Sequence, residues 1–127
     1  MSQDLKSFVA FDTGAFPTDG VAHTALLTNT WGVPLYIRQT TLWLGMTIGG
    51  QGDFGVTMRR TSDGSCVDFV GWDHYADPAT LHQHTRNFEP NYMLLAVGDS
   101  LHLEYTAYTA PGKNAHVIAR VWWTAGP

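Results

Sequence analysis

Apolar and polar residues alternate with a period of two through most of this chain, the spacing of strands with one face buried. No segment carries a convincing apolar stripe of helical period. Phe54, Val56 and Met58 alternate with polar neighbours, and Val67 and Phe69 resume the alternation after Ser62-Asp-Gly-Ser65. An Asp-Gly pair between two such runs predicts a hairpin. Residues 101–109 and 115–124 are β-branched and aromatic runs on either side of Pro111-Gly112, which predicts a second antiparallel pair. Further strands are expected over residues 21–30, 80–88 and 92–97, with turns at Trp31-Gly-Val-Pro34 and Gly98-Asp99.

Residues 35–48 are too long for one flat strand. Leu35 and Ile37 share one parity, and Leu42, Leu44, Met46 and Ile48 share the other. The apolar side therefore changes across residues 38–41, as a one-residue bulge or a corner between sheets requires. The expected fold is an all-β, antiparallel β-sandwich, jelly-roll-like, of about eight strands with turns every ten residues or so. Residues 1–20 form an N-terminal arm or edge strand, because Asp12-Thr-Gly14 and residues 16–20 interrupt their apolar run twice. Residues 21–127 form the single β-sandwich domain.

Composition narrows the function more than it names it. Hydrophobic residues make up 44% of the 127 and charged ones 14%, so the chain packs a core and has a surface poor in charge. The net charge is −4 and no basic cluster exceeds Arg59-Arg60, so nucleic acid is not an expected partner. No run approaches the ~20 apolar residues of a membrane helix, and the first residues lack a signal peptide's apolar stretch. Cys66 is the one cysteine, which leaves no intrachain disulfide. Synthesis in a reducing cytoplasm is the expectation.

Three groups of residues invite chemistry. His82 and His84 share a strand face, so both imidazoles can approach one metal. With Glu89 and Gly98 they resemble the first metal motif of cupins. That resemblance implies a metal held by His82, His84 and Glu89, with Pro111, Gly112 and His116 echoing the second motif. The sequence departs from the pattern at Ala76, where a Gly is expected, and by eight residues instead of six between Glu89 and Gly98. Trp72, His74 and Tyr75, in an expected loop over residues 71–78, supply the ring and polar groups of a glycan platform. The plain alternative is that Trp72 plugs one end of the core. Asp63 and Asp99 sit in turns, where such side chains usually bond their own backbone.

Trp122 and Trp123 are adjacent on a strand and so face opposite ways. One fills the core; the other, with Phe8 and Phe11 of the N-terminal arm, is expected at a subunit contact. A small, all-β, disulfide-free chain with a neutral surface, an apolar arm and spare aromatics resembles the jelly-roll decoration, fibre or coat-associated proteins of tailed-phage virions. The resemblance implies a non-enzymatic protein without cofactor, made in the host cytoplasm and located in the virion. Its partners would be copies of itself and a capsid or tail lattice. A carbohydrate-binding module for host adhesion is the alternative, and a small cupin-like metalloprotein the second.

Overall fold

The computed structural model describes residues 4–46, 52–75, 82–109 and 113–127; for residues 46, 52, 71–75, 82 and 109 only the backbone is described. The strands are β1 (Lys6–Asp12), β2 (Phe16–Pro17), β3 (His23–Thr28), β4 (Leu35–Met46), β5 (Gly52–Arg60), β6 (Cys66–Tyr75), β7 (His82–Asn87), β8 (Met93–Leu95), β9 (Ser100–Thr109) and β10 (Asn114–Thr124). One sheet runs β1-β10-β4-β7, with β2 also paired to β10 and β8 to β4. The other runs β3-β9-β5-β6.

The pairings nest. β5 pairs β6, β4 pairs β7 and β8, β3 pairs β9, and β1 and β2 pair β10, all antiparallel. This is a jelly roll: one long hairpin, with its tip at the Asp63-Gly64 turn, rolled into two layers. The expected sandwich is present among the described residues; β8 falls within the strand expected over residues 92–97, and the short β2 is the addition to the pattern. The expected Asp-Gly hairpin forms, and Gly64 takes the left-handed conformation (φ +72°) that the turn requires.

The second expected hairpin does not form. β9 lies between β3 and β5 in one sheet, and β10 lies between β1 and β4 in the other. Each strand thereby gains two ladders, whereas a hairpin in isolation offers one. The run over residues 71–78 is likewise not all loop, because β6 continues to Tyr75 with Asp73, His74 and Tyr75 opposite Phe54, Asp53 and Gly52. Ladder bonding to β5 outweighs the turn-like composition there. Residues 76–78 lie outside the described residues.

In the N-terminal segment β1 lies at the edge of its sheet and serves this chain's own sandwich. β1 pairs β10 with a shift in register at Ala10, and Phe11 and Phe16 are buried in the core. Along β10 the inward set is Ala115, Val117, Ala119, Val121 and Trp123. They meet Leu42 and Leu44 from β4, Phe54, Val56 and Met58 from β5, and Leu101 and Leu103 from β9, all almost completely buried.

The parity switch in β4 is a bulge and not a corner. Trp123 opposes Ile37 and Trp122 opposes Gln39, so Arg38 is the extra residue. Its guanidinium is buried and donates to Thr124 Oγ1 (3.1 Å), to the carbonyls of Pro90 (3.1 Å) and Asn91 (3.2 Å), and to Gly126 O (3.2 Å). One side chain thus ties the chain's last residues and the turn before β8 to the middle of the sheet.

Candidate interaction surfaces

Three surfaces follow from the two layers: the side opening between β6 and β7, the outer face of the β1-β10-β4-β7 sheet, and the outer face of the β3-β9-β5-β6 sheet. At the side opening, His84 and Arg86 oppose Leu42 and Thr40, which places both in the inward set of β7. Asp68 of β6 faces them from the other sheet and is fully buried. Its Oδ2 accepts from the Thr40 hydroxyl (2.6 Å), and its Oδ1 from the Phe69 N–H (2.8 Å). His84 Nδ1 lies 3.0 Å from Oδ1. Arg86 donates to the carbonyls of Cys66 (3.1 Å) and Val67 (3.2 Å). Burial pushes the Asp68 carboxyl above the usual carboxylate range, against the opposing pull of Thr40, His84, the Phe69 N–H and Arg86. This seam stitches one sheet to the other.

The seam also redefines the candidate metal residues. His84 spends Nδ1 on Asp68, and Glu89 lies beyond the end of β7, in a turn where its N–H donates to Asn87 Oδ1 (3.0 Å). Glu89 therefore does not continue the strand face that carries His84. The side chain of His82 lies outside the described residues. Among the described residues no three His, Cys, Asp or Glu side chains gather as a metal site. The side chains of Trp72, His74 and Tyr75 also lie outside the described residues; their backbones sit on β6, with His74 opposite Asp53.

Of the four residues expected at an interface, Phe11 and Trp123 are buried in the chain's own core. Phe8 is partly buried and packs on Trp31 (ring centroids 4.9 Å apart), and Trp122 is half-buried on the outer face of its sheet. On that outer face the central strands β10 and β4 are largely covered by their own side chains, while Val9 on the edge strand β1 is exposed. The Arg120 guanidinium lies 5.9 Å from the Trp122 ring centroid and donates to Ser7 Oγ (3.1 Å). Thr41 points away from the core, opposite Arg120 and Thr85, yet is only 1% exposed. At its margin the Asp12 carboxylate meets His116 Nε2 (2.5 Å), which holds the Asp12 carboxyl below its usual range.

The opposite outer face is more open. Leu26 on β3 and Phe69 on β6 are 61% and 57% exposed, on the two edge strands of the sheet. Between them a cavity of about 100 Å3 is lined by Thr57, Arg59, His102 and Glu104. The sequence alone assigns none of these residues, nor Asp68, to a site. The signal for Asp68 was present: an acid at a position whose neighbours two residues on either side, Cys66 and Val70, are apolar. The charged pair Arg59 and Glu104 has no such local signal, because the ladder between β5 and β9 brings them together.

The turn acids behave as expected. Asp63 Oδ1 accepts from the Ser65 N–H (3.0 Å) and hydroxyl (2.8 Å), and Oδ2 meets Arg60 (2.5 Å). Asp99 accepts from the Ser100 and Ser62 N–H groups and the Thr61 hydroxyl.

No protein-family model matches the chain, nor does any curated protein sequence. Solved structures do match it in fold. A structure of the Gx strain of infectious bursal disease virus is 15% identical over 97% of this chain and superposes with a TM-score of 0.53. The VP2 subviral particle of the same virus is 15% identical over 97% of this chain, at a TM-score of 0.45. The chain spans about a third of the length of these neighbours, 32% and 33% respectively. At such identity the likeness is one of fold.

Proposed function

We propose that this protein is a non-enzymatic structural component of a virion, acting through contacts with copies of itself and with a capsid or tail lattice. One observation carries the reading: the jelly roll, nearly end to end, superposes on part of a solved virus structure. The build of the surface supports it. Charge is sparse, and large apolar side chains stand exposed on both edge strands of one sheet. The buried polar groups singled out above, Asp68 and Arg38, join sheets and termini and are committed to structure. Within this role, decoration of a capsid or attachment to a tail or fibre both fit a small domain that docks through its outer faces.

The test is assembly. Mass photometry and negative-stain electron microscopy of the purified chain should show oligomers or lattice-bound copies. Neighbouring genes should encode capsid, portal or tail components. A chain that stays monomeric at about 100 μM, a concentration that populates weak interfaces, and binds no assembled particle would overturn the reading.

A further inference from the structure

The register of the β3-β9-β5-β6 sheet arranges its outer face in rows. Thr24, Glu104, Thr57 and Phe69 form one row across four strands, and Leu26, His102 and Arg59 form the next. The two exposed apolar side chains thus stand at opposite edges, and the carboxylate and guanidinium lie between them on adjacent central strands. The cavity they border, about 100 Å3, falls short of the roughly 300–1,000 Å3 of small-molecule sites. It accepts the tip of a side chain. A surface of this kind suits another protein surface of the same pattern.

Resting on the assembly reading above, we infer that this face is a two-fold contact between copies of the chain. A two-fold axis running between β9 and β5, parallel to the strands, lays β3 of each copy over β6 of the other. Phe69 of one copy then lies over the edge that carries Leu26 of the other. Glu104 of each copy lies over β5 of the other, beside Thr57 and Arg59, so acid meets base twice. An axis across the strands would lay β9 on β9 and β5 on β5, so that Glu104 meets Glu104 or His102 of the same strand and Arg59 stays over β5. Charge complementarity therefore selects the first arrangement. Four strands at ~4.8 Å spacing and about six residues of length give a face of about 400 Å2 per copy. The total of about 800 Å2 lies below the roughly 1,000 Å2 of a stable specific interface, so a single contact is weak and transient and becomes firm when several act together.

The experiment is a sedimentation-velocity concentration series on the intact chain and three variants: Glu104→Arg, Arg59→Glu and the double reversal. Phe69→Lys, at an exposed position, serves as an independent apolar probe, and circular dichroism checks the fold of each. Each single reversal sets like charges face to face and should weaken self-association at least tenfold, about 1.4 kcal/mol. The double reversal should restore it to within about threefold, and Phe69→Lys should weaken it without affecting the fold. Self-association that none of the variants alters overturns this face and leaves the assembly reading standing. A wild-type chain that is monomeric throughout, and binds no particle, overturns both.

Discussion

Replacing Asp68 separates two contributions of a buried carboxylate, its hydrogen bonds and its charge. In Asp68→Ala the Thr40 hydroxyl, itself fully buried, and the Phe69 N–H lose their acceptor. Each orphaned donor costs about 1–3 kcal/mol, so the loss should be about 2–6 kcal/mol. His84 adds little, because its side chain is 46% exposed and water can replace the carboxylate. For 127 residues, an unfolding entropy of roughly 0.27 kcal/mol/K converts that loss into a Tm drop of roughly 7–22 °C. Asp68→Asn keeps an acceptor oxygen at the same place and removes the charge that burial penalises. It should cost about 1 kcal/mol or less.

The pH dependence supplies the second measurement on the same variants. Burial raises the Asp68 pKa in the folded state, so the folded chain binds this proton more tightly than the unfolded one. Its contribution to stability therefore falls as pH rises from the usual 3.8 through the raised value, and is constant above it. Asp12, Asp63 and Asp99 are shifted the other way and lose stability as pH falls. Subtracting the Asp68→Asn urea curves from those of the wild type at each pH isolates Asp68. If Asp68→Ala unfolds within about 0.5 kcal/mol of wild type, the seam is not holding the sheets. If the difference curve rises with pH, the burial argument is wrong.

Two further substitutions test the packing. Arg38→Lys leaves one ammonium where a planar guanidinium reaches four oxygens across Thr124, Pro90, Asn91 and Gly126, and should cost about 2–4 kcal/mol. Hydrogen exchange should show the faster opening at residues 90–91 and 122–126, and protection there equal to wild type would count against the role given to Arg38. Trp123→Ala should lose about 3–5 kcal/mol in a guanidinium melt, as core truncations do, whereas Trp122→Ala, on the outer face, should lose about 1 kcal/mol. Equal losses would contradict the inward and outward assignment of the pair.

The legible part of this fold was local. Period-two alternation located β4, β5, β6 and β9, and the Asp-Gly turn located the hairpin tip, because each depends on residues a few positions apart. The parity change across residues 38–41 located the bulge for the same reason. Partner choice was not legible. β9 and β10 flank Pro111-Gly112 and read as a hairpin, yet each is claimed by strands far away in the chain, Thr24 with Glu104 or Lys6 with Trp123. His82 and His84 stand two apart on β7, a spacing plain in the sequence, but what His84 meets depends on β6 across the sandwich. Short-range pattern specifies which side chains turn inward, and long-range pairing decides what they find there.

The same distinction explains why the candidate surface escaped the sequence and why it belongs to the outer faces. In a rolled hairpin every inward position is consumed by the opposite layer, so a new contact has only the outer faces, the ends and the side openings to use. Here the opening between β6 and β7 is stitched by Asp68, His84 and Arg86, and on the other outer face Arg120 covers Trp122 on the central strand β10. The remaining sheet presents Leu26 and Phe69 with Arg59 and Glu104 between them, four residues from four different strands. None of the four is informative alone, since single exposed apolar side chains and charges are ordinary. Their order across the ladder, apolar, acid, base, apolar, is what makes the face complementary to a rotated copy of itself.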